Sequence, residues 1–309
     1  ELLGILNAFK APIRYALAYG SGAYTQRGYD AGAPPMIDFL FGVTHPEHWH
    51  SLNMRQHGHH YASTRVFGAK SVSYIQERFG AGCYFLPDVA MNGRQIKYGV
   101  VSIDRLIADL HHWDSLYLAG RCHKPVRVLR DDPRVKMAQR RNRRSAVRTA
   151  LLLLPEQFSE TELFMTIAGL SYHGDFRMKV GGENPHKVFN IVHEQRAIFR
   201  KIYGPIVEDL PDVRYVDDAT LVQDRQTQAR VALIAKLPQN LVNHLHNQLA
   251  VRLERAELEW LATSPKIQAY TATALEEIVF RPALVQAFKG FFSAGFRRSI
   301  AYAWAKLMK

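Results

Sequence analysis

Between Ile13 and Leu129, short apolar runs (RYALAYG, MIDFLFGV, YGVVSID and KPVRVL) alternate with segments of helical spacing such as HPEHWHSLNM and AKSVSYIQERFG. Runs this short read as strands, and strands alternating with helices fold as a sheet with helices laid on it. Past Asp131 the pattern changes. DDPRVKMAQRRNRRSAVR is dense in arginine and runs into ALLLLP, a shift to helical composition that sets a domain border at 138/139. In FSETELFMTIAGLSY, Ser159 and Glu162 stand at capping-box spacing ahead of apolar residues three and four apart, which predicts a helix. HGDFRMKVGGENPHK reads as a polar turn region, KVFNIVHEQRAIFRKIYGPIVEDL as an amphipathic helix and VRYVDDATLVQ as a hairpin. Helices followed by a hairpin predict a winged-helix-like unit over 139–230. The helical pattern beyond Val231 makes 231–309 a third region, so the expected class is α+β.

With 309 residues the chain is long enough for two domains or more. No apolar run reaches the roughly 18 residues that a membrane span needs, so a soluble or peripheral protein is expected. A formal charge of +12 calls for an anionic partner: nucleotide, nucleic acid or acidic lipid. Two cysteines, Cys83 and Cys122, exclude a disulfide framework and a four-cysteine zinc site, and fit a compartment where thiols stay reduced. The chain begins at Glu1 rather than at a methionine, as expected where a targeting segment has been trimmed.

The chemistry gathers in YALAYGSGAYTQRGYDAGAPPMIDFLFGV. Tyr19 ends an apolar run, and Gly20, Ser21 and Gly22 follow as a turn whose backbone amides and hydroxyl can cradle phosphate. Further on, Asp38 interrupts an apolar strand on which Ile37 and Phe39 point to the opposite face. A carboxylate there requires a salt bridge, an exposed strand end or a hard cation such as Mg²⁺. Turn plus acid is the layout of nucleotidyltransferases resembling DNA polymerase β, in which metal bridges carboxylate and triphosphate. That superfamily carries a second acid two residues after the first, where this chain has Leu40. Asp175, in the HGDFR turn of the following domain, is the leading candidate for the missing acid, with a turn or cap role as its alternative.

The motifs GSGAYTQ, PPMIDFLFGV, HPEHWHSLNMRQHGHHYAS, NGRQIKYGVVS, YLAGRCHKPV, LSYHGDFRM and NPHKVFNIV occur in this order. Through them the chain resembles the mitochondrial phosphatidate cytidylyltransferases, peripheral CDP-diacylglycerol synthases also known as mitochondrial translocator assembly and maintenance proteins. The likeness runs from about Phe9 to Tyr203 and resumes from Phe288 to Lys309. It implies a polymerase-β-like nucleotidyltransferase domain (1–138), a winged-helix domain and a membrane-associating C-terminal region. The implied reaction joins CTP and phosphatidic acid into CDP-diacylglycerol and pyrophosphate, with Mg²⁺, at the matrix face of the inner mitochondrial membrane. Its product would feed cardiolipin synthesis.

On that reading Tyr19, Gly20, Ser21 and Gly22 contact the triphosphate, and Asp38 and Asp175 hold Mg²⁺. The cations Lys97, Arg121, Lys124, Arg177 and Lys187 offset substrate phosphates, Lys124 and Arg177 foremost. Each also reads as an ordinary solvated charge. Tyr172 stacks on cytosine or packs in the core. His45, His48, His50, His57, His59 and His60 lack a fixed ligand set such as HExxH, so packing, capping or substrate lining is preferred over zinc. The tail FKGFFSAGFRRSIAYAWAKLMK mixes aromatic and basic residues, as an anionic bilayer surface favours, with docking on the protein's own core as the alternative. An RNA-directed transferase and a non-catalytic inner-membrane assembly factor are the competing functions. Nucleic acid is the less expected partner, and a homodimer is left open.

Overall fold

The computed structural model describes residues 1–24, 34–179, 181, 184–249 and 254–294. The chain opens with α1 (Leu2–Asn7), β1 (Tyr15–Tyr19), β2 (Ile37–Val43), α2 (Pro46–His57) and α3 (Gly68–Arg78), with a 3-10 segment Gly58–Phe67 between the last two. There follow β3 (Cys83–Met91), β4 (Arg94–Ser102), α4 (Ile103–His112), α5 (Tyr117–Arg121), β5 (Arg127–Arg130) and α6 (Pro133–Leu153). Next come β6 (Gln157–Ser159), α7 (Glu160–Gly169), α8 (Phe176–Lys179), α9 (Lys187–Glu208), β7 (Val213–Tyr215) and β8 (Thr220–Gln223). Four helices close the described chain: α10 (Thr227–Ile234), α11 (Gln239–Leu249), α12 (Arg255–Thr263) and α13 (Ile267–Ala294). The class is α+β, as expected.

Two compact units share these elements. The first comprises 1–107, 126–136 and 281–309, and the second 108–125 and 137–280. The sequence-based border at 138/139 falls inside α6, and the division is discontinuous where contiguous domains were expected. The physical reason is that 108–125 is bonded to residues distant in sequence: Trp113 Nε1 donates to Asn142 Oδ1 at 2.8 Å, and Tyr203 Oη donates to the His123 carbonyl at 2.6 Å.

In the first unit a five-stranded mixed sheet runs β3-β4-β2-β1-β5, with β2 parallel to β4 and the other neighbours antiparallel. Ile37, Phe39, Phe41 and Val43 alternate along β2 onto one face and join Phe9, Trp49 and Tyr98 in a buried cluster. Phe9 meets the rings of Phe41 and Tyr98 edge-on at 5.1 Å each, a geometry worth roughly 0.5–1.5 kcal/mol per pair beyond buried area. The β3–β4 hairpin turns at Asn92 and Gly93, with φ of 51° and 73°. Asn-Gly between strands is the strongest short hairpin signal, and it was available in the sequence although β3 was not singled out there.

In the second unit the three-stranded antiparallel sheet is ordered β6-β8-β7, and β7–β8 is the expected hairpin. The capping box forms: Glu162 N donates to Ser159 Oγ at 3.1 Å and Ser159 N to Glu162 Oε2 at 2.7 Å. Phe164, Phe199 and Tyr203 stack between α7 and α9 with centroids 5.4–6.3 Å apart.

The start of the C-terminal tail packs on the first unit. Lys289 is buried, its Nζ donating to the Phe79 carbonyl at 2.9 Å just past the end of α3, and Gln286 Nε2 donates to the Cys83 carbonyl at 3.2 Å. Phe288 is exposed, and the rest of the aromatic-basic tail, from residue 295 on, lies outside the described residues. No described helix is long and apolar enough to cross a membrane.

Candidate active site

Strand pairing assembles a cluster of candidate residues in the first unit. Tyr19 on β1 is opposite Asp38 on β2, and Asp38 is opposite Lys97 on β4, so the three form one row across adjacent strands on one sheet face. Immediately after Tyr19 the chain turns: Gly20 has φ of 75° and its carbonyl accepts from the amides of Ala23 and Tyr24 at 3.1 and 3.0 Å. A Cβ on Gly22 would lie 2.5 Å from the Met36 carbonyl oxygen, and one on Gly20 would lie 3.0 Å from Asp38 Oδ2. Both glycines are therefore needed for the turn to lie against the entry of β2, with the Asp38 carboxylate over bare backbone.

Asp38 is half-buried, and no hydrogen bond or ion pair from a described residue reaches its carboxylate. Lys97 Nζ sits 4.8 Å from the Phe85 ring centroid on the same face. Leu40 also shares that face, but it is fully buried between Leu17 and Gly99. An acid at position 40 would be sealed inside an apolar layer at a desolvation cost of several kcal/mol.

A second cluster of candidate residues lies within the other unit. Asp109, buried at the end of α4, accepts five hydrogen bonds of 2.7–3.0 Å, from the amides of Ser115, Leu116, Leu118 and Ala119 and from the Ser115 hydroxyl. This hub holds a segment in which Trp113 and Leu116 take left-handed φ of 59° and 53°. α5 follows, and at its end come Arg121 and Lys124. Gly120 lets α5 touch the Leu170–Tyr172 turn, where a Cβ would come within 2.1 Å of Ser171 Cβ. Across that contact Lys124 Nζ donates to Ser171 Oγ at 3.0 Å and lies 4.8 Å from the Tyr172 ring centroid. Burial, then the nearby charges of Arg121 and Lys187, push the Lys124 ammonium down to about 7.

Asp175, buried, accepts from Arg177 Nε at 3.0 Å and Nη2 at 2.6 Å, and from the Arg177 amide at 3.1 Å. Its carboxylate holds the Arg177 guanidinium, and the bond from the Arg177 amide is a contact of the turn or cap kind. Arg121 lies 5.2 Å from the Tyr117 ring centroid, and Lys187 opens α9. Asp109, Gly120 and Ser171 were not found by sequence reasoning. A glycine amid the small residues of YLAGR was the one available signal, while Asp109 and Ser171 carried none.

Of the histidines singled out in the sequence, His50 and His60 are buried core polar groups, whereas His45, His48 and His59 are exposed. Both ring nitrogens of His50 are engaged, by Tyr61 Oη at 2.8 Å and Gln76 Oε1 at 2.9 Å, and Tyr98 Oη meets His60 Nδ1 at 2.8 Å and Asn53 Nδ2 at 2.9 Å. Burial pushes His50 down to about 4 and His60 to about 3, so both rings are neutral at pH 7. Among the described residues no three His, Cys, Asp or Glu side chains converge as a metal site. Asp38 remains as one accessible carboxylate beside a phosphate-sized turn. This fits Mg²⁺, which is usually held by one or two carboxylates together with substrate phosphates and water.

A family model described as "Phosphatidate cytidylyltransferase, mitochondrial" matches residues 2–309. Proteins bearing that same name are similar along nearly the whole chain. The Xenopus laevis protein is 40% identical over 314 residues, covering 99% of this chain and 93% of its own length. The Schizosaccharomyces pombe protein is 36% identical over 326 residues (100% and 83%), and that of Saccharomyces cerevisiae 37% over 314 residues (100% and 70%). With the motifs found in order and the match running from end to end, the chain belongs to the mitochondrial phosphatidate cytidylyltransferase family.

Proposed function

We propose that this chain makes CDP-diacylglycerol and pyrophosphate from CTP and phosphatidic acid. The observation that carries the reading is the Asp38 carboxylate, lying against the Gly20–Gly22 turn without a described partner, in a chain of this family. In the reaction a phosphate oxygen of the lipid attacks the α-phosphorus of CTP, one P–O bond forms, and the bond to pyrophosphate breaks. A lipid phosphate is already anionic at neutral pH, so positioning and charge neutralisation supply the catalysis and no general base is needed.

The turn amides and Ser21 bind triphosphate oxygens, and Tyr19 and Lys97 flank Asp38 in the same row. Asp38 is the residue that would hold Mg²⁺. When bound, the ion neutralises phosphate charge and orients it for in-line displacement. Lys124, Arg121, Lys187 and Arg177 form the cationic group of the second unit. Ser171 fixes Lys124, and Asp175 fixes Arg177, so each cation meets phosphate already oriented. Tyr172, with Lys124 Nζ over its ring, is read as a wall of the phosphate site, with stacking on cytosine as the other reading.

We further read the first unit as a polymerase-β-like nucleotidyltransferase fold. The order α6, β6, α7, α9, β7, β8 with a β6-β8-β7 sheet supports a winged helix in the second. The matrix face of the inner membrane is the proposed site of action, with the product passed to cardiolipin synthesis. The test is pyrophosphate release by the purified chain. Release that requires CTP, phosphatidic acid and Mg²⁺ together is expected, and release without phosphatidic acid, or none at all, would dismiss the reading.

A further inference from the structure

The arginines of α6 are not used by the site described above, yet they are ordered with unusual regularity. Arg140, Arg141 and Arg144 are exposed and Arg148 is half-buried, a spacing of one, three and four residues that keeps all four on one side of the helix. Met137, 70% exposed, extends the same stripe by one turn. The opposite side of α6 is buried through Ala138, Asn142, Ser145, Ala146, Thr149 and Ala150, which fixes the stripe outward.

The charges crowd one another. Arg148 is lowered by burial and then by Arg144 and Arg141, and His111 on α4 is lowered by burial and then by Arg141. Among the described residues, the one ion pair found along these arginines joins Arg144 to Asp209 at 3.0 Å, both exposed, which is worth little in water. Like charges held together cost stability, and their repulsion is offset when an anionic surface is present.

We propose that the Arg140–Arg141–Arg144–Arg148 stripe of α6 docks the enzyme on the anionic headgroups of a bilayer. The inference rests on the lipid-substrate reading: no described helix is long and apolar enough to cross a membrane, and the enzyme must still meet phosphatidic acid where it resides. Four guanidiniums along roughly 12 Å of one straight helix can meet a plane of phosphates at once. Met137 gives that edge an exposed apolar side chain, and no aromatic residue lies in the stripe to stack bases as single-stranded RNA binding favours.

The test uses the full chain and a variant carrying R140Q, R141Q, R144Q and R148Q. Vesicles of phosphatidylcholine, with or without phosphatidylglycerol, serve as probe. At about a fivefold gain in partitioning per arginine near an anionic surface, the variant should lose roughly a hundredfold or more in binding to the anionic vesicles at low salt. The corresponding four-lysine variant should keep most of it. Turnover of a short-chain, water-soluble phosphatidic acid should be unchanged in the glutamine variant, which also shows that it is folded, whereas turnover on vesicles falls.

Unchanged vesicle binding by the glutamine variant would overturn the proposal. So would a selective loss of affinity for a single-stranded RNA with vesicle binding intact. A wild-type chain that turns over neither form of phosphatidic acid would instead overturn the lipid reading itself, a different result from either.

Discussion

Asp38 and Asp175 both lie beside glycine turns, one in each unit, and they are held in opposite ways. Asp175 is buried and gives both oxygens to Arg177, just as Asp109 gives its own to four backbone amides and a hydroxyl. Asp38 is half-buried, opposite Lys97 in register, and no described residue bonds to its carboxylate. A carboxylate saturated by protein donors shapes the backbone or a guanidinium. One left unsaturated at a strand end retains lone pairs for a cation. Under the proposed function, Asp38 is the carboxylate left for a metal ion, Asp109 holds the backbone around it, and Asp175 orients the Arg177 guanidinium.

The sharpest break in that contrast is Asp38→Asn, which keeps shape and removes charge. Turnover is expected to fall about a thousandfold, the several kcal/mol that metal-assisted charge neutralisation supplies, with the thermal transition unchanged. Next is Lys124→Met, where losing one preorganised cation should cost about a hundredfold in kcat/KM. Its pH dependence sharpens the assignment. The ammonium held near 7 loses its proton as pH rises through that value, so phosphate binding weakens and KM increases on the alkaline side. Lys124→Arg, always charged, should flatten that limb in a KM profile.

Stability should respond to acid through the buried histidines of the first unit. Their folded pKa values, about 4 for His50 and about 3 for His60, lie below the ordinary 6.5. Below pH 6.5 the unfolded chain takes up protons that the folded chain refuses. The stability contribution is therefore complete above 6.5 and is lost as pH falls toward 4 and then 3, by up to about 1.4 kcal/mol per pH unit for each ring. Urea midpoints measured from pH 7 to pH 5 should show this slope, and His50→Gln should reduce it. Gly120→Ala is the smallest expected effect, roughly 1–3 kcal/mol from forcing α5 away from Ser171, read as a lowered urea midpoint together with a raised KM.

Local signals were legible where the cause was local. Ser159 and Glu162 announced their helix because a capping box is complete within four residues, and the Gly20–Gly22 turn and Asp38 announced themselves by residue type. What joins them was also within reach, since an antiparallel β1–β2 pair brings Tyr19 to Asp38. The burial of Leu40 was not, because it depends on Leu17 and Gly99 on the two neighbouring strands. Nor was the role of Asp109, whose partners occupy an irregular segment with no periodicity to read. Docking of the tail on the protein's own core was only the alternative reading, because its contacts are remote: Gln286 and Lys289 are anchored to carbonyls of Cys83 and Phe79, about two hundred residues back.

The contrast between the two carboxylates is tested most directly by measuring CDP-diacylglycerol formation from CTP on phosphatidic-acid vesicles over a Mg²⁺ titration, for the wild-type chain, Asp38→Asn and Asp175→Asn. The account predicts saturable Mg²⁺ dependence in the wild type and near-complete loss in Asp38→Asn. In Asp175→Asn it predicts a raised KM with unchanged Mg²⁺ dependence. Full turnover by Asp38→Asn, or a shift in Mg²⁺ dependence confined to Asp175→Asn, would contradict it.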